Sequence, residues 1–416
     1  MTTALELEIP EISLILLVGT AGSGKSTFAR KHFAPTEIVS SDQLRAMIID
    51  DPADQGANDD AFDLLHTLVE KRLSHRRLTV IDATNVEPRS RKILLKLASA
   101  QFVGVQAIVF DLPIEVCIQR DAARTERSVG EAVVREHRLH LDGGLARMPK
   151  EGFVQIHRLD SVDQANRARV KRVPLPNDLR DQPGPFDIIG DVHGCAEELR
   201  SLLSLLGYLE DGTHPDGRRV IFLGDLVDRG PGVAEVLRIA MHMVAERGAL
   251  CVIGNHEAKL LRWLEGRNVT RSHGLAASID QLEREPPETL TAIRGFLESM
   301  PDHYRLADGR LVVTHAGIRE RMIGGVSRKV RAFCLYGDTT GEKDEAGLPI
   351  RRDWARLYFG DALIVYGHTP SHEARWVNHT CCIDTGCVFG GKLTALRWPE
   401  RETYAVDAVR THYAHV

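Results

Sequence analysis

A glycine-rich stretch near the start of the chain has the residue types needed to bind phosphate. Residues 19–26 read Gly-Thr-Ala-Gly-Ser-Gly-Lys-Ser, which fits the pattern G-x-x-x-x-G-K-[ST]. The glycines let backbone N–H groups curl around phosphates, and the N-terminus of a following helix adds partial positive charge. The lysine would reach the outer phosphates, and the serine hydroxyl would ligate Mg²⁺. We therefore predict a site for ATP with Mg²⁺, formed by Gly19, Gly22, Gly24, Lys25, Ser26 and Thr27.

Polar residues that follow the next two predicted strands are candidates for the acceptor side. Asp42 would lie at the carboxyl end of a parallel strand and could take the proton from an attacking hydroxyl. The alternative is that Asp42 caps a helix that starts at Gln43, and the local pattern alone favours this alternative. Residues 82–85 (Asp-Ala-Thr-Asn) either approach the phosphates and Mg²⁺ or only form a turn at the strand end.

Three arginines recur at spacings of four and three residues: Arg120, Arg124 and Arg127. This spacing puts them on one side of a helix or at its end. Converging guanidinium groups would form a lid that stabilises charge on a transferring phosphate. The alternative is a solvated helix face, which the spacing by itself favours.

The second half of the chain contains five short fragments rich in Asp, His and Asn. They are residues 190–194 (Gly-Asp-Val-His-Gly), 224–230 (Gly-Asp-Leu-Val-Asp-Arg-Gly), 254–257 (Gly-Asn-His-Glu), 314–316 (Thr-His-Ala) and 367–369 (Gly-His-Thr). The first three each follow an apolar strand, so their side chains would project from strand ends into one crevice. Carboxylate, imidazole and carboxamide ligands suit manganese, magnesium, iron or zinc.

Within these fragments a two-metal phosphoesterase site can be assigned by chemistry. Two metals about 3.5–4 Å apart need one bridging carboxylate, and Asp225 is the best candidate. Arg229 would bind a phosphate through two hydrogen bonds. His256 would protonate the leaving oxygen, and Asp228 would orient the imidazole ring.

The elements that must position these residues alternate between strand and helix patterns in the front half. Such alternation predicts an α/β fold, with a parallel sheet covered on both faces by helices. Four prolines at 174, 176, 183 and 185 then mark a boundary, because proline this dense suits neither a helix nor a central strand. We predict a first domain at 1–172, a proline-rich linker at 173–185 and a second α/β domain at 186–416.

Composition restricts the classes of function. The net charge of −5 argues against a protein that coats nucleic acid non-specifically, because such binding needs a broad basic surface. Seven cysteines without a C-x-x-C pair indicate reduced thiols, as expected in the cytoplasm. The apolar run at 12–18 is too short to span a membrane, so we expect a cytoplasmic protein with no membrane partner. The oligomeric state, including a homo-oligomer, stays open.

Taken together, these motifs resemble known families. The five rear fragments are similar to the calcineurin-like binuclear metallophosphoesterases, and the front half resembles polynucleotide kinases of the P-loop class. Their order, with the stretches 336–354 and 384–396, resembles the bacterial polynucleotide kinase-phosphatase family of RNA repair. The resemblance implies transfer of the ATP γ-phosphate to 5′-hydroxyl ends of RNA or DNA. It also implies removal of 2′,3′-cyclic, 2′ or 3′ phosphates with two divalent metals, Mn²⁺ being the expected ion.

The resemblance also implies roles for single residues. Asp42 would be the kinase base, Arg45 would bind the acceptor phosphate, and Arg120 and Arg124 would be the lid arginines. Asp191, His193 and Asp225 would bind one metal. Asp225, Asn255, His315 and His368 would bind the second.

The chain departs from that family in lacking a K-x-D-G motif and the adenylyltransferase module that carries it. We therefore expect it to heal ends but not to seal them, so sealing would need a separate ligase. Two alternatives stay open. One is a small-molecule kinase fused to a diadenosine tetraphosphate hydrolase or a protein phosphatase, and the other is a phosphatase regulated by nucleotide sensing.

Overall fold

The computed structural model describes residues 5–51, 54–124, 128–343 and 349–414. The chain divides into two compact units. The first comprises Met1–Leu175 with Gly325–Lys329, and the second comprises Pro176–Gly324 with Val330–Val416. The proline-rich stretch at 173–185 contains a two-residue strand, Asp178–Leu179. Among the described residues, no helix is both long enough and apolar enough to cross a membrane.

The first unit is built on a parallel sheet. Its strands are β1 (Glu6–Pro10), β2 (Leu14–Gly19), β3 (Ile38–Ser40), β4 (Thr79–Asp82), β5 (Val105–Phe110), β6 (Gln155–Leu159) and β7 (Arg169–Val173). Its helices are α1 (Lys25–His32), α2 (Ser41–Ile49), α3 (Asn58–Ser74), α4 (Pro88–Ala100), α5 (Ile114–Ala122), α6 (Glu131–Leu145), α7 (Met148–Glu151) and α8 (Val162–Arg167). Five strands form the main sheet in the order β3-β4-β2-β5-β6, and β1 pairs with β7.

The central strand β2 shows why helices cover both faces of this sheet. Leu14, Leu16 and Val18 belong to one core cluster, and Ile15 and Leu17 belong to another. Successive side chains of a strand point to opposite faces, so an uninterrupted apolar strand must be buried on both sides. This confirms the predicted parallel sheet with helices on both faces.

The second unit contains two larger sheets. Its strands are β8 (Asp178–Leu179), β9 (Phe186–Ile189), β10 (Arg219–Phe222), β11 (Leu250–Cys251), β12 (His303–Leu306), β13 (Leu311–Thr314), β14 (Asp338–Lys343), β15 (Pro349–Arg352), β16 (Leu363–Tyr366), β17 (Arg375–Val377), β18 (Thr380–Cys382), β19 (Lys392–Trp398) and β20 (Glu402–Asp407). Its helices are α9 (Ala196–Leu206), α10 (Val233–Arg247), α11 (Asn255–Leu264), α12 (Leu275–Leu282), α13 (Pro287–Ser299) and α14 (Arg328–Tyr336). One sheet has the order β11-β10-β9-β19-β20 and the other β17-β18-β16-β13-β12-β8, while β14 pairs with β15.

The two large sheets pack against each other. Ile188 of the first sheet shares a buried cluster with Val313 and Val365 of the second. The next residue, Ile189, points the other way and packs in the cluster formed with helices α9 to α13. The second unit is therefore an α/β sandwich, which agrees with the α/β fold predicted for residues 186–416.

Strand direction brings the functional fragments to common edges. Strands β9, β10 and β11 run parallel, and so do β13 and β16. Parallel neighbours end at the same edge of a sheet, where ligands of α/β folds commonly bind. The loops after these strands carry all five fragments singled out above.

Candidate functional site

The glycine-rich loop of the first unit connects β2 to α1. Gly22 has a φ of 76°, and a Cβ atom there would lie 2.0 Å from the carbonyl oxygen of Cys117 in α5. Only glycine fits at this position, because any side chain would strike the backbone of α5. Gly19 and Gly24 also have positive φ values, and Gly24 directly precedes α1.

Lys25 points its ammonium group back into this loop. Its Nζ atom donates hydrogen bonds to the carbonyl oxygens of Gly19, at 2.8 Å, and Thr20, at 2.7 Å. Burial lowers the pKa of Lys25 to about 8. The positive group is therefore held where the loop would receive phosphate oxygens.

A second contact links the loop to the neighbouring strand. The Ser26 hydroxyl donates to Asp82 Oδ1 at 3.1 Å, and Asp82 is the last residue of β4. Burial raises the pKa of Asp82, although the bond from Ser26 opposes this shift. Hydroxyl and carboxylate oxygens are suitable Mg²⁺ ligands. Asn85, by contrast, has a structural role, because its Nδ2 donates to the Leu17 carbonyl at 2.8 Å.

The alternative in which Asp42 caps a helix that starts at Gln43 is wrong. Helix α2 begins at Ser41, and the Ser40 hydroxyl caps it by accepting from the Gln43 backbone N–H. Asp42 instead forms an ion pair with Arg45. The side chain of Asp42 is 51% exposed, whereas that of Arg45 is 5% exposed. Asp42 therefore does not cap the helix, and about half of its side chain is exposed.

Two cavities, of about 640 and 820 Å³, meet at this point. Both are lined by Ser26, Asp42, Asp82 and Arg124. The smaller cavity continues past Arg45 and Asn58 to His137, and the larger one past Gly24, Thr27 and Arg30. A carboxylate between two cavities is suitably placed to serve a transfer from one bound molecule to another.

The arginines predicted to form a lid lie beside the glycine-rich loop. Arg120 is in α5, and its Nη1 lies 3.6 Å from the position that a Cβ atom of Gly24 would occupy. Arg124 follows the end of α5 and pairs with Asp121 at 3.7 Å. Arg127 lies outside the described residues. The structure therefore brings two of the three arginines to the predicted phosphate site.

The loops of the second unit adopt unusual backbone conformations. Residues with φ between 47° and 72° include His193, Asp225, Asp228, Arg229 and His368. A residue other than glycine in this left-handed region costs about 1–3 kcal/mol and persists only where its surroundings enforce it. Such strain concentrated in five predicted site residues is typical of a functional centre.

One group of converging ligand atoms consists of His193, Asp225 and His256, within 4.8 Å of one another. His193 Nε2 lies 3.5 Å from Asp225 Oδ2. His193 Nδ1 donates to the Val227 carbonyl at 2.8 Å, which leaves the lone pair on Nε2. Burial lowers the pKa of His193 well below its usual range, so the ring is neutral, as a metal ligand must be.

A second group consists of Asp225, His315 and His368. His315 Nδ1 donates to the Leu223 carbonyl at 3.0 Å, so its Nε2 carries a lone pair. This Nε2 lies 3.0 Å from His368 Nδ1 and 3.0 Å from Asn255 Oδ1. Lone pairs that point at one another in a buried pocket fit a cation between them.

Asp225 belongs to both groups. Its Oδ2 faces His193, and its Oδ1 faces His315 at 3.4 Å. Burial alone would raise the pKa of Asp225, but the surrounding imidazoles hold it below its usual range. This is the arrangement that a carboxylate bridging two cations requires, and the donor set fits divalent metals.

Asp191 lies next to these groups. Its carboxylate accepts a hydrogen bond from the His368 backbone N–H at 3.0 Å, and a Cβ atom at Gly367 would lie 2.0 Å from Oδ1. Burial, Asp384 and Asp225 together raise the pKa of Asp191 well above its usual range. Among the described residues, neither converging group within 4.8 Å includes Asp191. Its ligand role thus stays a prediction.

His256 is held in a chain of hydrogen bonds that the sequence reveals only in part. Its Nδ1 donates to Asp228 Oδ2 at 2.5 Å, and the Ser278 hydroxyl donates to Asp228 Oδ1 at 2.5 Å. Burial lowers the pKa of His256, but Asp225 and Asp228 outweigh burial, and the net shift is upward. A raised pKa suits a proton donor. Ser278 was not predicted, although a buried serine between the apolar residues of α12 is a usable signal.

Arg229 and Glu257 complete the pocket. Arg229 Nη1 lies 2.6 Å from His193 Nε2, and its guanidinium lies over the rings of Phe389 and Tyr413, at 5.1 and 5.9 Å. The buried Glu257 carboxylate accepts backbone N–H groups of residues 225, 226 and 254 at 2.6, 2.8 and 3.0 Å. Glu257 thus fixes the loop that carries Asp225, a role that its position in the sequence does not reveal.

Comparison with known protein families accords with this geometry. A family model described as calcineurin-like phosphoesterase matches residues 184–412, more than half of the chain. The chain belongs to the calcineurin-like phosphoesterase family. A model described as an AAA domain matches residues 14–143, which include the phosphate loop. The chain is thus a P-loop, kinase-like unit fused to a calcineurin-like phosphoesterase, whose family implies divalent metals.

Named relatives match the phosphoesterase unit. The chain is 49% identical over 236 residues to a bis(5′-nucleosyl)-tetraphosphatase (asymmetrical) of Anoxybacillus flavithermus, covering 55% of this chain and 96% of the relative. It is 48% identical over 234 residues to the enzyme of the same description from Geobacillus thermodenitrificans, with coverages of 55% and 96%. A solved metallophosphoesterase from Sphaerobacter thermophilus has a TM-score of 0.32 and 16% identity, covering 55% of this chain and 88% of that one.

Proposed function

We propose that this chain repairs broken polynucleotide ends with two separate active sites. The first unit transfers the γ-phosphate of ATP to a 5′-hydroxyl end, and the second removes 2′,3′-cyclic, 2′ or 3′ phosphates. The observation that carries the proposal is the position of Asp42, whose side chain lines both cavities beside Ser26 and Asp82. A sensor that only binds nucleotide has no need of a carboxylate between two cavities.

The kinase step follows from the contacts around the loop. Lys25 and the backbone N–H groups of the loop bind the outer phosphates of ATP, and Ser26 and Asp82 would hold Mg²⁺. Asp42 accepts the proton of the attacking hydroxyl. Arg45, oriented by Asn58 Oδ1 at 2.7 Å, binds the phosphate that follows the terminal nucleotide.

Arg120 and Arg124 stabilise the charge of the transferring group. Arg120 lies beside Gly24, and Arg124 lines both cavities. Each guanidinium offers a fixed set of donors that matches phosphate oxygens. Removal of either arginine should therefore lower kcat more than it lowers the affinity for ATP.

In the phosphoesterase unit, the chain's own side chains hold the metals and the substrate. The first metal would be held by Asp191, His193 and Asp225, and the second by Asp225, Asn255, His315 and His368. Two divalent cations, Mn²⁺ in this proposal, supply a Lewis acid and an activated water when bound. Arg229 binds the substrate phosphate, and His256, oriented by Asp228, delivers a proton to the leaving oxygen.

The proposed substrate is one that needs both the kinase and the phosphoesterase reaction. A strand with a 5′-hydroxyl and a phosphorylated 3′ end needs both reactions before a separate ligase can seal it. Aromatic residues make up only 6% of the chain, so we expect recognition through phosphates and the terminal sugar, with little sequence preference.

The decisive experiment uses one RNA oligomer with a 5′-hydroxyl and a 2′,3′-cyclic phosphate. The purified chain is incubated with this RNA, ATP, Mg²⁺ and Mn²⁺, and both ends are analysed. We expect a 5′-phosphate and a 3′-terminal diol on the same molecule. Phosphorylation of a nucleoside or sugar, without phosphorylation of the oligomer, would contradict the kinase proposal.

A second candidate for the phosphoesterase unit is the hydrolysis of dinucleoside tetraphosphates. The relatives described as bis(5′-nucleosyl)-tetraphosphatases favour it, because the similarity covers almost their whole length. The two candidates are separated by comparing kcat/KM for diadenosine tetraphosphate with kcat/KM for a 3′-phosphorylated oligomer. A much larger value for the tetraphosphate would replace the end-repair proposal for this unit.

A further inference from the structure

A third set of potential metal ligands lies in the second unit, outside the residues assigned above. One ligand atom each of Cys195, Glu198 and Cys387 lies within 4.8 Å of the other two. All three side chains are at least 99% buried. Cys195 precedes α9, Glu198 is in its first turn, and Cys387 opens the short helical turn Cys387–Phe389.

The hydrogen bonds of Glu198 are incomplete in a specific way. Its Oε1 accepts from the Val409 backbone N–H at 3.0 Å and lies 2.8 Å from His412 Nε2. Its Oε2 is buried and has no hydrogen-bond partner among the described residues. A buried acceptor without a partner costs about 1–3 kcal/mol, and more when it is charged.

The two thiols do not relieve this deficit. The Cys195 thiol instead donates to the His193 carbonyl oxygen, at 3.8 Å. Neither thiol donates to Glu198 Oε2, since that atom is without a partner. The cluster therefore places two sulfur atoms and a carboxylate oxygen within reach of one cation, which would give Oε2 the partner that it lacks.

We propose that Cys195, Cys387 and Glu198 Oε2 bind one structural Zn²⁺ ion, separate from the two-metal centre. Thiolate sulfur is the ligand type that selects zinc, whereas the two-metal centre offers only nitrogen and oxygen. His412 either completes a tetrahedral set of four or fixes the carboxylate through Oε1, as outer ligand partners commonly do. Binding displaces the two thiol protons to solvent, so that thiolates face the ion.

The position of this site gives it a structural purpose. Cys195 is two residues after His193, and Cys387 is three residues after Asp384. His412 lies in the segment after β20, whose backbone N–H groups at 412 and 413 both donate to the Val388 carbonyl. The ion would join three segments around the two-metal centre without touching substrate.

Cobalt substitution distinguishes this site from the two-metal centre. The full chain is stripped of metal with a chelator, loaded with Co²⁺ under reducing conditions, and its metal content and absorption spectrum are measured. Thiolate ligands give intense charge-transfer absorption in the near ultraviolet, which nitrogen and oxygen ligands do not give. We expect three Co²⁺ ions per chain and this absorption band in the unmodified protein.

Variants assign the band to the cluster. Cys195→Ser and Cys387→Ser should each lose the band and one metal ion, while Cys381→Ser, at a buried cysteine outside the cluster, should keep both. Two ions per chain without thiolate absorption in the unmodified protein would overturn the proposal, and this readout needs no variant to fold. A band that persists in Cys195→Ser, or a Cys195–Cys387 disulfide found by thiol counting, would also overturn it.

Discussion

The hydrogen bonds around His256 allow the effect of Asp228→Asn on kcat to be predicted quantitatively. The buried Asp228 carboxylate accepts from His256 on one oxygen and from Ser278 on the other, each at 2.5 Å. An amide has the same shape but no charge to stabilise the protonated ring. A hydrogen bond to a charged group contributes about 1.5–3 kcal/mol. If His256 donates its proton in the transition state, this loss corresponds to a kcat lower by about 10- to 150-fold.

The loss should depend on the leaving group. A nucleoside 3′-phosphate releases an alkoxide that needs the proton, whereas p-nitrophenyl phosphate releases a stable phenolate that does not. We expect the full decrease in kcat for the first substrate and little change for the second. The assay measures kcat on both substrates at saturating Mn²⁺, with metal content measured in parallel.

Asp308→Asn is the matched control. Asp308 is exposed and precedes β13, whereas His315 follows β13, so the same chemical change falls at the opposite end of that strand. Its kcat should be unchanged on both substrates. Equal decreases of kcat on both substrates in Asp228→Asn, at unchanged metal content, would refute the proton-donor role of His256.

Three further substitutions test single contacts. Gly22→Ala should abolish phosphate transfer while leaving phosphoesterase activity unchanged, because the added Cβ would lie 2.0 Å from the Cys117 carbonyl oxygen; activity of both kinds would show that the loop can move aside. Asp42→Asn should lower kcat for transfer to a 5′-hydroxyl by about 100-fold or more, with KM for ATP nearly constant; a changed KM with constant kcat would make it a binding residue only. Ser278→Ala should lower kcat for alkyl phosphates by about 10-fold, less than Asp228→Asn, since one hydrogen bond to a charged group is lost; no decrease would remove Ser278 from the relay.

Much of the fold can be predicted from local sequence. The apolar run before the glycine-rich loop and the periodic segment after it predict a strand and helix that the structure places at Leu14–Gly19 and Lys25–His32. Short strands such as His303–Leu306 and Thr380–Cys382 were not predicted. Their few residues carry little periodic signal, and pairing across the sheet stabilises them.

The cap of α2 shows how tertiary contacts decide between local alternatives. Ser40, Ser41 and Asp42 are all residue types that cap helices, so the sequence alone leaves the starting residue ambiguous. In the structure Ser40 caps the helix, and the buried Arg45 pairs with Asp42. The sequence alone does not show that Arg45 is buried, because its burial depends on packing against the helix that carries Asn58.

Two kinds of contact build the rear site. Some residues meet because neighbouring strands end at the same edge of a sheet, and others meet because helices and turns pack together. His315 and Asn255 come after apolar segments of the sequence, and the structure places His315 Nε2 3.0 Å from Asn255 Oδ1. Ser278 reaches Asp228 from a helix 50 residues further along the chain. The cluster of Cys195 with Cys387 likewise joins distant segments. Contacts of this second kind depend on how helices and turns pack, which spacing along the sequence does not reveal.

The most direct test of two independent phosphate sites is a pair of complementary variants assayed on both ends of one RNA. Lys25→Ala should lose 5′-phosphorylation and retain removal of the 3′-terminal phosphate. Asp225→Ala should lose both metals of the two-metal centre and the phosphoesterase reaction, and should retain 5′-phosphorylation. Loss of both reactions in either variant, with the protein still folded, would contradict the account.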